Sequence, residues 1–467
     1  MSAVRNLTGV ALLLLALATS SALAQGVTLP DFERVELDSG TVLLLSQKPE
    51  VPLVSVSAIV RGGAIANPAD LSGLTTLFAA LLEKGAGDRD AAQFAEAVDS
   101  AGGQLTARAG LENITISANF LARDTDLAIE LLTDMLLRPS LDAAELDKLR
   151  GRAINFIRAA KDTNLNALLP IYGHAFLFGD HAYGNPVGGS ETSLANITHE
   201  DVLDYYAQQL GGDRLIISVS GNIDTTKIKA RLTETFGDWR GASGPVPEMP
   251  VVAAQAGRRV LLIDKPGATQ TYFWIANIGV ARDFENRAAL NVANTVFGGR
   301  FTSMLNTELR VKSGLTYGAR SQLLRPTNPG SVAIVSFTRT DATVEAIDMA
   351  LGVLGRLHDG GIDADMVASA QNYILGQFPT ALETAEQLGA QLAALEAYGL
   401  GTSYINNYGA DIMAADVDTV ASVIEDVYPA SDDLVFVLLG DAELMREAVA
   451  TYGPVTEMSI SEPRFRP

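Results

Sequence analysis

Arg310 and Tyr317 are the two residues of this chain whose types and spacing could act on a polarised oxygen. They stand in the run Thr307-Glu308-Leu309-Arg310, followed by Lys312-Ser313-Gly314-Leu315-Thr316-Tyr317. The pattern predicts a helix from about Thr302 to Val311 that stops at Gly314, a residue free to take the left-handed cap conformation. A strand holding Leu315 to Ala319 would follow, so that Arg310 at the helix end and Tyr317 on the strand can point into the same space. Arg brings fixed donors and a permanent charge, and Tyr brings a hydroxyl donor. Such a pair suits a carbonyl on which negative charge develops. Spacing alone favours a plainer account, in which Arg310 complements the helix macrodipole and Tyr317 is simply a good strand residue.

Other chemistries are thinly supplied. The chain has no Cys, which excludes disulfides, thiol catalysis and cysteine metal sites. Its four histidines, His174, His181, His199 and His358, have no His partner three or four residues away. No helix therefore presents two imidazoles on one face, and surface or structural roles are expected for each. There is no convincing Ser-His-Asp arrangement. Gly188-Gly189 before Ser190 reads as a loop, because no strand followed by a phosphate-cradling helix surrounds it. A formal net charge of −21 argues against nucleic acid and against an anionic membrane surface as partners.

The elements that must position these residues come as a repeat. At 467 residues, two or more domains are expected, and 48% hydrophobic with 19% charged residues is the composition of a folded globular protein. Val42-Leu43-Leu44-Leu45 before Lys48-Pro49 recurs as Val260-Leu261-Leu262-Ile263 before Lys265-Pro266. Strand patterns follow in both places, Val54 to Ile59 and Thr271 to Ile278. Leu215 to Asn222 matches Leu434 to Asp441 near the ends of the halves. One offset fits both ends, as a duplicated unit requires. Residues 25–240 and 258–467 are thus two homologous α/β-roll-like halves of an α+β fold, each an antiparallel-rich sheet packed with helices. Residues 241–257, with Pro245, Pro247 and Pro250, have linker composition.

A helix in the first half carries the most telling pattern. Leu71, Leu74, Leu77, Phe78, Leu81 and Leu82 form its apolar stripe, between Gly73 and Lys84-Gly85. In this register the chain resembles the insulinase/pitrilysin family of zinc peptidases, the inverzincins, which include mitochondrial processing peptidase. Their helix reads G-x-x-H-x-x-E-H, then three residues and K-G. Here Thr76 stands for the first zinc His, Ala79 for the general-base Glu and Ala80 for the second His. Phe156 aligns with the family's third ligand, a Glu on a later helix. None of the four offers an imidazole or a carboxylate, which zinc and its base need. The second half, from Phe297-Gly298-Gly299-Arg300-Phe301-Thr302-Ser303-Met304-Leu305 to Tyr317, is similar to the family's G-G-x-x-x-S-x-L-x-x-x-L-R-x-x-x-G-L-x-Y segment.

The resemblance implies a non-catalytic subunit of a two-chain zinc metallopeptidase. Arg310 and Tyr317 would serve in trans, binding the substrate peptide and its transition state, partly by strand addition to a sheet edge. No cofactor is expected in this chain, and zinc would sit in a homologous partner carrying H-x-x-E-H. A structural or peptide-binding homologue without a role in catalysis is the alternative. Residues 1–24 read as a signal peptide, with Arg5, an apolar run from Val10 to Ala18, and Ala22-Leu23-Ala24 as the cleavage site. Cleavage near Ala24 would release a soluble periplasmic or secreted protein with no membrane span.

Overall fold

The computed structural model describes residues 27–467, so the expected leader, residues 1–24, lies outside the described residues. Six strands build the first-half sheet: β1 (Glu33–Glu36), β2 (Val42–Gln47), β3 (Leu53–Arg61), β4 (Gln104–Ala109), β5 (Asn113–Leu121) and β6 (Leu215–Gly221). Their order across the sheet is β1-β2-β6-β3-β5-β4. The second-half sheet has β7 (Arg259–Asp264), β8 (Gln270–Ile278), β9 (Ala319–Leu324), β10 (Ser331–Arg339), β11 (Val435–Gly440) and β12 (Val455–Ser459). Its order is β9-β10-β8-β11-β7-β12.

Five strands of each sheet correspond, and β2 pairs β6 in parallel as β7 pairs β11. The closing strand of each half therefore inserts beside its opening strand, which is why the repeat is visible at both ends. Only the outermost strand differs. β1 lies antiparallel on β2, whereas β12 arrives from the C-terminal side and lies parallel to β7. Both sheets are mixed, with antiparallel pairs in the majority.

Burial follows from strand position. β5 alternates, with Ile114, Ile116, Ala118 and Phe120 inward and its polar residues half-exposed. β6 and β11 are buried along their whole lengths and read as unbroken apolar or small runs. Such strands need cover on both faces. Each half's own helices cover one face, and the other half supplies the second cover. Four helices matter here: α1 (Leu74–Leu82), α2 (Ala143–Thr163), α3 (Leu165–Phe178) and α4 (Ala385–Ala397). α3 leaves the first half to lie on β8 and β11, while α4 leaves the second half to lie on β3 and β6.

The two crossings are fitted differently. On α3, a Cβ at Gly173 would fall 2.7 Å from the buried ring of Trp274. On α4, Leu388, Leu392, Ala393 and Leu395 pack with Val42, Leu44, Ile59 and Ile216. There Gly389 rests over Ser218 and Ser220, whose hydroxyls would be 3.5 and 3.4 Å from an added Cβ.

Polar contacts tie the halves further. Arg34 holds the Glu396 carboxylate through two nitrogens at 3.0 and 2.9 Å, and the Lys265 ammonium donates to the Lys161 carbonyl at 2.8 Å. After β12 the chain returns to the first half, where Lys161 donates to the Glu462 carbonyl at 2.6 Å and Phe465 packs edge-on against Tyr172. Residues 241–257 form no helix or strand but lie against the surface, with Gly244 N–H on the Gln208 carbonyl at 3.0 Å.

The Gly173 contact decides the sign of one substitution. Gly→Ala in a helix ordinarily stabilises by roughly 0.5–1 kcal/mol, but overpacking a core costs about 1–3 kcal/mol. Because Trp274 is rigid and buried, overpacking wins. Gly173→Ala is expected to lower the thermal midpoint of the whole chain, whereas Gly151→Ala, with open space around it on α2, raises it slightly. Calorimetry on both variants makes the comparison; an unchanged or raised midpoint for Gly173→Ala would show that α3 is not held this tightly.

Candidate functional site

α1 starts where two glycines touch. Gly73 has φ of +96°, and a Cβ there would meet Gly189 Cα at 2.9 Å, so the loop before Ser190 sits directly on the helix start. Thr75 is buried, its hydroxyl 2.6 Å from Asn67 Oδ1. Leu74, Leu77, Phe78, Leu81 and Leu82 fill the core. Thr76 and Ala80, one turn apart, form the half-buried stripe on the other side.

Nothing on this stripe can hold a metal. The Thr76 hydroxyl donates to the Val187 carbonyl at 2.7 Å. Ala79 is fully buried and Ala80 offers only a methyl group. Glu83, further along the stripe, is already engaged, accepting the Ala107 N–H at 2.7 Å. α2 packs on α1, but Phe156 on it is 72% exposed. Among the described residues no three His, Cys, Asp or Glu side chains gather as a metal site.

The histidines act as ties to the backbone or core. His181 bonds the Pro250 carbonyl at 2.9 Å, His199 that of Leu141 at 2.6 Å and His358 that of Pro429 at 3.2 Å. His174 lies on α3, edge-on to Trp274 and 3.3 Å from the Ser331 hydroxyl. Desolvation lowers its pKa to about 4.

In the second half, Arg310 and Tyr317 do meet on one depression of about 540 Å³, shared with Gln270, Leu315, Phe337 and Arg339. The local fold differs from expectation in two ways. A single turn at Met304–Asn306 widens into a π-type segment, Thr307–Lys312, and Gly314 follows with φ of +69°. The expected strand over Leu315 to Ala319 is absent, since β9 begins only at Ala319. The reason is a competition for backbone donors. The N–H groups of Leu315 and Thr316 both bond the Leu309 carbonyl, at 2.9 and 3.2 Å, and so cap the helix rather than join a sheet. The Thr316 hydroxyl then accepts the Gly318 N–H at 3.1 Å.

Tyr317 thus stands on a turn and is 79% exposed. Arg310 lies 4.8 Å above the Phe301 ring, a cation–π contact that fixes the guanidinium without using its donors. Gly298 is more than a turn residue. A Cβ there would fall 2.2 Å from the Ser321 nitrogen, so the glycine lets this helical segment press against β9. Phe301, Gln270, Phe337 and Arg339 were not singled out from the sequence. Arg339 reaches the depression only through its strand pairing with Gln270, 69 residues away, which no local pattern announces.

Two family profiles match the chain. Residues 42–191 match the profile described as insulinase (peptidase family M16), and residues 196–374 match that described as peptidase M16 inactive domain. The chain is 27% identical over 367 residues to an uncharacterized zinc protease of Mycobacterium leprae, covering 78% of this chain and 82% of the relative. It is 21% identical over 336 residues to a non-peptidase homolog of Helicobacter pylori, covering 72% and 77%. A crystal structure of a peptidase M16 inactive domain from Pseudomonas fluorescens superposes with a TM-score of 0.82 at 20% identity, over 88% of this chain and 98% of that one. The periplasmic protease PqqL from Escherichia coli gives 0.74 at 13% identity, over 89% of this chain and 46% of its own.

His174 yields a pH dependence whose sign is set. Its ordinary pKa is 6.5 and its folded value is about 4, so the folded chain binds this proton less readily than the unfolded one. The stability from keeping it neutral is complete above about pH 6.5 and is lost as pH falls toward 4. The loss is on the order of 3 kcal/mol. Denaturant titrations at several pH values are expected to show this slope, and His174→Gln is expected to flatten it. An unflattened slope would place the titration elsewhere.

Proposed function

This chain belongs to the insulinase (M16) peptidase family, and within it we propose that the chain is the zinc-free half of a two-chain metallopeptidase. One observation carries the reading. Arg310 and Tyr317 share a depression and are exposed, Tyr317 making no hydrogen bond and Arg310 no ion pair among the described residues, while Thr76, Ala79, Ala80 and Phe156 offer no ligand. A structural Arg at a helix end would be spent on carbonyls, and a structural Tyr would be packed. These two keep their donors for something outside the chain.

In the proposed complex, the H-x-x-E-H residues of a homologous subunit would hold zinc, which would supply Lewis-acid chemistry toward a carbonyl and a water. Arg310 and Tyr317 then donate to a carbonyl of the unfolded peptide beside the reacting bond, holding the substrate and offsetting the charge that develops. Fixing Arg310 over Phe301 lowers the cost of ordering it at that moment. The chain itself carries no cofactor. Export to the periplasm fits the leader composition. Among the described residues no helix is long and apolar enough to cross a membrane. A second reading, a peptide-binding homologue outside catalysis, draws on the likeness to the Helicobacter pylori non-peptidase homolog.

The test mixes this chain with a zinc-bearing homologue from the same cell and follows cleavage of an unfolded fluorogenic peptide. This chain alone is expected to retain far less than one zinc after dialysis and to cleave nothing; the mixture is expected to cleave. Arg310→Ala and Tyr317→Phe should each lower kcat/KM of the mixture by about 10²-fold. Cleavage by the single chain, or full activity with both variants, would overturn the proposal. Amino-terminal sequencing of the exported protein is expected to begin at Gln25; an intact leader would remove the periplasmic assignment.

A further inference from the structure

The depression beside Arg310 has an electrostatic character opposite to that of the chain. The protein carries a formal net charge of −21, yet among the described residues no carboxylate lines this space, and two arginines, Arg310 and Arg339, do. The hydrogen-bonding groups around it divide sharply by type. The Thr338 hydroxyl is committed to the Leu315 carbonyl at 2.7 Å, and the Thr316 hydroxyl to Gly318. Gln270 Oε1 accepts from the Tyr272 hydroxyl at 3.0 Å, which leaves the Gln270 amide nitrogen. Arg339 uses its Nε on Asp341 at 3.1 Å, and its two terminal nitrogens stay unengaged. The groups that stay available are mainly donors: Arg310, Tyr317, the Gln270 amide nitrogen and the Arg339 terminal nitrogens. Asp341 is the charged group that faces Arg339. It is 76% exposed and accepts from Nε alone.

Two guanidinium groups and an amide nitrogen, with no carboxylate among them, match an anion, and a planar guanidinium fork matches a carboxylate. Tyr272 and Phe337 stack at 5.4 Å, with Phe337 lining the floor, so the space also takes the apolar stem of a side chain. We propose that this depression is a specificity site for a peptide carboxylate, with Arg339 and the Gln270 amide as the recognising groups, so that the complex prefers substrates acidic near the bond to be cleaved. The catalytic part of this statement rests on the two-chain reading; the binding part does not. The carboxylate has two possible sources, an internal Glu or Asp side chain and the C-terminal carboxylate of the peptide.

The experiment uses the full chain by itself and fluorescence anisotropy of three labelled, unstructured peptides. One has a central Glu and an amidated C-terminus, the second has Gln there with the same amide, and the third has Gln with a free C-terminus. The Glu peptide is expected to bind about fivefold more tightly than its amidated Gln counterpart, as one exposed charge pair allows, and to lose that margin in high salt. Arg339→Gln should abolish the preference while leaving the thermal midpoint unchanged, and Arg339→Lys should restore part of it. Tighter binding of the free C-terminus instead assigns the site to peptide ends. Equal affinity for all three peptides, no binding by any of them, or a preference that survives Arg339→Gln would overturn the proposal. The two readings separate cleanly: a mixture that cleaves Glu and Gln peptides equally removes the specificity site alone, whereas carboxylate binding by a chain that never supports cleavage removes the two-chain peptidase alone.

Discussion

Neither sheet can cover its own second face, and the rest of the structure follows from that shortage. β6 and β11 are buried from end to end, so an open face on either would leave a broad apolar surface in water. The chain meets the need by exchange, sending α3 across to the second half and α4 back to the first. Each half is then incomplete without the other, although each has its own sheet and helices. The fork from Arg34 to Glu396 and the return of the chain to Lys161 and Tyr172 add polar specificity to an association that apolar burial drives.

α1 divides its two sides between unlike constraints. Its buried side, Leu74, Leu77, Phe78, Leu81 and Leu82, belongs to the core and cannot change without a cavity. The stripe with Thr76 and Ala80 faces away from that core, so the side chains it carries bear little on packing. Thr76 has even become a small fixing point through the Val187 carbonyl. The depression in the second half is the reverse case. Its donors Arg310 and Tyr317 face solvent, where water satisfies them until something outside the chain takes their place.

Legibility in the sequence followed locality. Strands repeat with simple alternation or unbroken apolar runs, so Val42 to Leu45 and Val260 to Ile263 announced a duplicated sheet, and the topology has just that correspondence. Arg310 and Tyr317 were legible because one short segment holds both. The start of β9 was not, since it depends on whether the amides of Leu315 and Thr316 choose the Leu309 carbonyl or a neighbouring strand. The helix exchange was equally hidden. α3 has apolar residues on most sides, which says that it is buried but not under which sheet. Arg339 escaped for the same reason: it reaches the depression through a strand pairing some distance along the chain.

The two seats of the exchanged helices have grown unlike each other. In register, Ser57 opposite Ser218 occupies the place that Trp274 opposite Val437 holds in the other sheet. One crossing helix meets small hydroxyls beneath Gly389, and the other meets an indole beneath Gly173. A first half offered to another first half would set the Gly173 notch over small serines in place of an indole and leave a void. The duplication has thereby become a polarised coupling, like a plug and a socket of different gauge. Like halves are poorly matched for that reason, so packing, and not the repeat alone, specifies which half meets which.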